Sequence, residues 1–199
     1  MKKIKRIGIS LLATALLIST FSIGASAAEA RKSLGYKWSN KYSSVYFYCG
    51  FNEIWKNAIR SGMSSWNAVK EPGTDKTIVP MYFTNYSSHS NKIYSTSNQT
   101  WLGKMFPTQS NGVLTAASIA FNSGDYSFTV GAASGKYDIQ TVATHELGHA
   151  IGVAHCHEQG ESPCFSPTCS SNVMMRTISS NSTRRTLTDY DKASKQVIY

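Results

Sequence analysis

The chain has 199 residues, 41% hydrophobic and 16% charged, with 20 Lys and Arg against 11 Asp and Glu for a formal net charge of +9. Four of the basic residues fall within the first six positions, which leaves 16 against 11 and a net charge of +5 on the remainder. That excess is scattered, with Arg184-Arg185 the only adjacent basic pair after Arg31-Lys32, so a nucleic-acid surface is not supported.

The chain opens Met1-Lys2-Lys3-Ile4-Lys5-Arg6, continues through an apolar stretch from Ile7 to Ile23, and reaches Ala25-Ser26-Ala27. A basic start, an apolar middle and small residues at the end predict a secretory signal peptide over 1–27. The apolar stretch is interrupted by Gly8, Ser10, Thr14, Ser19, Thr20 and Ser22, which argues against a retained membrane anchor. Residues 28–199 then form a single exported domain, expected to be monomeric and free of the membrane; about 170 residues suffice for one core and are too few for two.

Val45-Tyr46-Phe47-Tyr48 predicts a strand, with Trp38 just ahead of it. From Asn52, a candidate N-cap, Trp55, Ala58, Ile59, Met63 and Trp66 recur at three- and four-residue spacing, an amphipathic helix ending near Glu71-Pro72-Gly73. Thr77 to Thr84 predicts a second strand, in which Pro80 indicates an edge or a bulge. Asn85 to Thr100 is polar loop, and His89 within it is left without a role.

Gly112 to Asn122 predicts a strand of small residues running into a turn at Ser123-Gly124-Asp125. Asn122 and Asp125 offer oxygen ligands for Ca2+ there, although two such residues are more commonly turn formers. Asp138 is placed to cap a helix on which Ile139, Ala143, Leu147 and Ala150 form the packing side. A Ser-, Asn-, Thr- and Pro-rich region from His157 to Thr186 follows, and Thr188 with Asp191 forms a weak capping pair for a last helix. This order predicts an α+β fold, a twisted mixed sheet packed on two long helices plus a C-terminal helix.

Cys49, Cys156, Cys164 and Cys169 all lie beyond the leader, and four cysteines in an exported chain predict two disulfides. Three pairings are open, and each joins Cys49 to one of the three late cysteines.

The chemistry is concentrated in His145-Glu146-Leu147-Gly148-His149-Ala150-Ile151-Gly152-Val153-Ala154-His155, which spells H-E-x-x-H-x-x-G-x-x-H. Residues four apart share a helix face, so His145 and His149 present two imidazoles to one ion with Glu146 beside them. Gly152 can take the left-handed conformation that ends a helix, and the turn returns His155 as a third ligand. Three neutral nitrogens leave one position open, which is the catalytic zinc arrangement rather than the closed structural one. Five fixed positions coincide by chance in a chain of this length on the order of once in a hundred thousand sequences. One catalytic Zn2+ with Glu146 as general base predicts a metalloendopeptidase acting on protein or peptide substrates. The reading from another class is a secreted binding or toxin-like module that keeps the zinc helix as scaffold.

The extended motif resembles the metzincin class of zinc peptidases, and the remaining pattern is most similar to secreted bacterial matrixin-like catalytic domains. In that resemblance Met174 of Asn172-Val173-Met174-Met175-Arg176 stands at the methionine turn beneath the zinc, with Met175 as the alternative, and the loop Arg176 to Thr186 walls the substrate pocket. It departs from the matrixin pattern in three respects. No propeptide of useful length is expected between leader and Trp38, no histidine set suggests a second, structural zinc, and Cys156 directly follows the third ligand.

Overall fold

The computed structural model describes residues 33–156 and 169–199; the leader and Cys164 lie outside them, and of Cys169 only the backbone is described. Strands β1 (Lys37–Trp38) and β2 (Val45–Cys49) lead into helix α1 (Glu53–Asn67). Strands β3 (Met81–Thr84), β4 (Lys92–Ser95), β5 (Gly103–Ser110) and β6 (Val113–Phe121) follow, then the short pair β7 (Phe128–Thr129) and β8 (Tyr137–Asp138). Helix α2 (Ile139–Ala150), a 3-10 turn at Cys169–Ser171 and helix α3 (Asp189–Ile198) complete the described chain.

The main sheet runs β1-β6-β4-β2-β3 with every one of these pairings parallel, and β5 lies antiparallel along β6. It is therefore the expected mixed sheet. Its inner face, including Phe47, Met81, Ile93, Met105, Ile119 and Phe121, packs against α1 and α2. Asn52 caps α1 by accepting from Trp55 N–H at 3.0 Å. Ala58, Ile59, Met63 and Trp66 are buried as the spacing requires, while α1 stops at Asn67, short of Pro72.

Three expectations are corrected. The strand anticipated from Thr77 is confined to Met81–Thr84, because Val79 has φ 40°, a region hostile to a β-branched residue, and Pro80 follows it. The loop expected over Asn85 to Thr100 contains β4, whose single buried side chain, Ile93, left almost no pattern. Cys49 is a free thiol: alternation along β2 turns it inward with Val45 and Phe47, so the long tie through Cys49 is not formed. The predicted calcium ligands serve the turn, with Asp125 accepting from Gln99 N–H and the Asn122 amide donating to the Gln99 and Trp101 carbonyls. Among the described residues, Asn122 Oδ1 is the buried side-chain atom without a hydrogen-bond partner.

Among the described residues no helix is long and apolar enough to cross a membrane.

Candidate metal centre

Helix α2 begins where Asp138 accepts from Thr141 N–H at 2.9 Å and ends at Ala150, with Ile151 as C-cap and Gly152 just beyond. Gly152 has φ 87°, Val153 N–H donates to the Gly148 carbonyl at 3.0 Å, and Gly152 N–H donates to the His149 carbonyl at 2.9 Å. This is the Schellman termination, which needs a left-handed residue at that position. A β-carbon at Gly152 would also collide with the Tyr36 carbonyl oxygen, because the segment from Ser33 to Tyr36 runs directly over the turn. Leu34 N–H donates to the Gly152 carbonyl at 2.9 Å. The remaining orphan carbonyls are met from both ends of the described chain: Trp38 Nε1–H donates to the Ala150 carbonyl at 2.9 Å and Tyr199 Oη–H to that of Ile151 at 3.1 Å.

The turn brings the three histidines together. His145, His149 and His155 place their Nε2 atoms 3.1, 3.1 and 3.2 Å apart. Three ring nitrogens converging edge to edge this closely are donors around a common point. Tetrahedral zinc with Zn–N of ~2.0–2.1 Å requires N···N separations of about 3.3–3.4 Å, so the triangle fits such an ion within a few tenths of an ångström. The opposite ring nitrogens fix the tautomer: His145 Nδ1–H donates to the Val173 carbonyl at 2.8 Å and His149 Nδ1–H to that of Val153 at 2.7 Å. Each bond leaves Nε2 with its lone pair directed at the ion position. Burial, with His149 adjacent, holds His145 well below its usual pKa, so it stays neutral and able to ligate. Among the described residues these three form the one group of His, Cys, Asp or Glu side chains close enough to share a metal.

Glu146 is buried beside them, and that burial pushes its carboxyl up to about 8, partly offset by a hydrogen bond from Met105 N–H and by the charge of Lys104. The four side chains open on a cleft of about 610 Å3 that residues of β5, Arg176 and Ile178 also line. Tyr36, also lining it, is pushed up to about 12 by its own burial and by Glu146.

Beneath the histidines lies Met174, which is fully buried, whereas Met175 is partly exposed. A β-carbon on Gly148 would overlap Met174 Sδ and lie 2.8 Å from Trp66 Cζ2, so the glycine inside the motif makes room for both side chains. Glycine within a helix costs about 1 kcal/mol relative to alanine, and here the cost is met by close packing. His89 takes no part; its Nδ1 accepts from Asn91 N–H ahead of β4.

The sequence did not reveal the supports. Asp191, expected only as a cap partner, accepts from Thr188 N–H at 2.9 Å, Val173 N–H at 2.9 Å and Met174 N–H at 3.2 Å. It therefore ties the start of α3 to the turn that orients His145. Asp138, expected only as an N-cap, also receives the Arg185 guanidinium in a two-bonded pair at 2.8 and 2.6 Å. Burial raises the Asp138 carboxyl, but Arg185, Thr141 and Gly131 together hold it below its usual value. Helix α2 is buried along nearly its whole length, not on one face as its pattern suggested, because these segments close over it. The nearest sequence signal for both links was the presence of acids at helix starts, which does not specify a distant partner.

No curated protein matches the chain. The sequence profile of the matrixin family matches residues 50–199, a span that takes in α1, the zinc motif, Met174 and α3. With that match over most of its length, this chain belongs to the matrixin family and is a zinc metalloendopeptidase.

Proposed function

We propose that this chain is a secreted endopeptidase that cleaves extended polypeptides, with His145, His149 and His155 holding one zinc ion and Glu146 acting as general base. The observation that carries the reading is the convergence of three Nε2 atoms within 3.2 Å of one another at the floor of a cleft that Glu146 shares. When bound, the ion polarises the scissile carbonyl and makes water a better nucleophile near neutral pH.

The chain's own residues do the rest. The Glu146 carboxylate takes a proton from the attacking water and delivers it to the departing amine nitrogen. Met174 serves as the methionine of the turn, packed under the ligands at Gly148. The edge of β5 away from β6 offers backbone groups to an extended peptide, which binds as an added strand. Residues 1–27 direct export and are removed, leaving a monomeric domain over 28–199.

Glu146→Gln tests the assignment. Metal analysis is expected to show unchanged zinc, while casein hydrolysis falls by about 10² to 10⁴, the usual contribution of a general base. A fully active Glu146→Gln protein overturns the mechanism. Zinc-loaded parent protein inert on every polypeptide tried overturns the function.

A further inference from the structure

Among the described residues, strand β5 is an edge strand that pairs with β6 alone. A β-carbon on Gly103 would lie 3.3 Å from Glu146 Oε1, so the start of β5 runs against the general base. Side chains alternate across it: Met105 enters the core, and Lys104 and Phe106 stand on the opposite, exposed face. Lys104 Nζ lies 5.5 Å from the centre of the Phe106 ring, and that ring packs edge-on against Trp101 at 5.8 Å. Lys104 thus holds its ammonium over the face of Phe106, and Lys104 and Trp101 both line the cleft.

Charge on the cleft is lopsided. Among its described lining residues Lys104 and Arg176 are cationic, and the single carboxylate is Glu146, which is buried. An extended peptide added to the β5 edge places one side chain directly across from Lys104, with β-carbons about 4.5–5.5 Å apart. Opposite charges at such a pair are favourable and like charges unfavourable.

We infer that Lys104 makes this enzyme prefer substrates with an acidic side chain close to the scissile bond, at the position that pairs with it across the β5 edge. The inference rests on the peptidase reading above. It competes with a plainer account, in which a lysine on an edge strand only discourages pairing with another copy of the sheet. That account requires no substrate charge preference.

The test uses the zinc-loaded mature protein and fluorogenic peptides identical except for Asp, Ala or Lys at single positions on either side of the cleaved bond. At one position kcat/KM is expected to be about three- to fivefold higher for Asp than for Ala and lower again for Lys, the size expected of an exposed ion pair. The preference should shrink toward unity in about 1 M salt, a measurement that needs no variant. Lys104→Glu should invert the order of the Asp and Lys peptides. Equal cleavage of all three peptides at every position, or an Asp preference that survives Lys104→Glu, overturns the inference and leaves the peptidase reading standing. If no peptide is cleaved, Ala peptides and casein included, the peptidase reading fails and this inference with it.

Discussion

Helix α2 and the segment from Asn172 through α3 meet beneath the metal centre, and they are specified in opposite ways. In α2 everything is local: a cap at Asp138, two histidines four residues apart, and a glycine three residues past the second. The later segment supplies no ligand, yet it contributes the Val173 carbonyl that orients His145, the Met174 side chain under Gly148, and the Asp191 carboxylate that holds the turn between them. Short-range spacing is enough to gather metal donors. Holding them against thermal motion takes buried polar contacts made across long stretches of chain.

The sharpest way to break the local half is Gly152→Val. The substitution asks a β-branched residue to adopt φ 87° and drives a β-carbon into the Tyr36 carbonyl, a backbone atom that cannot swing aside. The left-handed conformation alone costs about 1–3 kcal/mol, and the collision adds to it. Zinc occupancy and activity are expected to fall together, because the same turn delivers His155 and accepts the His149 Nδ1–H bond at Val153. Stoichiometric metal with a normal rate in this variant would mean that the turn does not position the third ligand.

The long-range half is broken at Asp191. Asp191→Asn removes the charge from a fully buried acceptor of four hydrogen bonds, and a loss of about 2–3 kcal/mol in unfolding free energy is expected. Because Val173 and Met174 lose their anchor, zinc affinity should weaken as well. Thr188→Ala removes the cap hydroxyl and its 2.7 Å bond to Asn172 Oδ1 but keeps the Asp191 carboxylate on Val173 and Met174; it should cost about 1 kcal/mol as a lost cap and weaken zinc binding less than Asp191→Asn does. Titration of zinc into both variants separates the two, and equal affinities would show that Asp191 merely starts the helix.

The same contrast explains what was legible in the sequence. Helix α1, the ligand helix, the Gly152 turn and the Thr188–Asp191 capping box could be read because each rests on residues within one or two turns of each other. Strand β5, which helps line the cleft, was invisible: of its side chains only Met105 is buried, and Pro107 sits in its middle. Its strand character comes from pairing along β6, and an edge strand tolerates that proline. Gly148 looked like any variable position of the motif, since the bulk it avoids comes from Trp66 and Met174, both distant in sequence. Cys49 misled for the converse reason, because cysteine counting takes no account of which way a strand turns the side chain.

Arg185→Met tests a milder long-range support, the pair at the N-terminus of α2. Asp138 is buried and Arg185 is 31% exposed, so solvent screens part of the pair and an effect of about 2 kcal/mol is expected. The sign with pH follows from the lowered Asp138 carboxyl. Its contribution is complete above the usual carboxylate value and is lost as pH falls through the lower value of the folded state. Parent and variant should therefore differ most near neutrality and converge in acid. Chemical denaturation at several pH values reads this directly, and a constant difference across the acid range would show that the stabilisation is not electrostatic.

The smallest expected effect concerns Lys195, a fully buried lysine of α3 whose Nζ donates to the Trp66 carbonyl at 2.7 Å. Burial, with Lys70 nearby, lowers its pKa from 10.5 to about 7. Between those values the unfolded chain keeps a proton that the folded protein has given up, so stability should rise as pH increases from about 7 toward 10.5. The full linkage would be several kcal/mol, but the Trp66 carbonyl belongs to the last turn of α1, where a cation is favoured, and this opposes desolvation. A net gain of about 1 kcal/mol is expected. Lys195→Met should abolish the slope without stranding the carbonyl, which also accepts from Val69 N–H at 3.1 Å. Subtracting the variant's unfolding free energy from the parent's between pH 7 and 10 removes the titration of residues common to both. A flat difference would mean that the ammonium stays charged in the folded protein, and that α3 is joined to α1 by a helix-capping cation rather than by a buried amine.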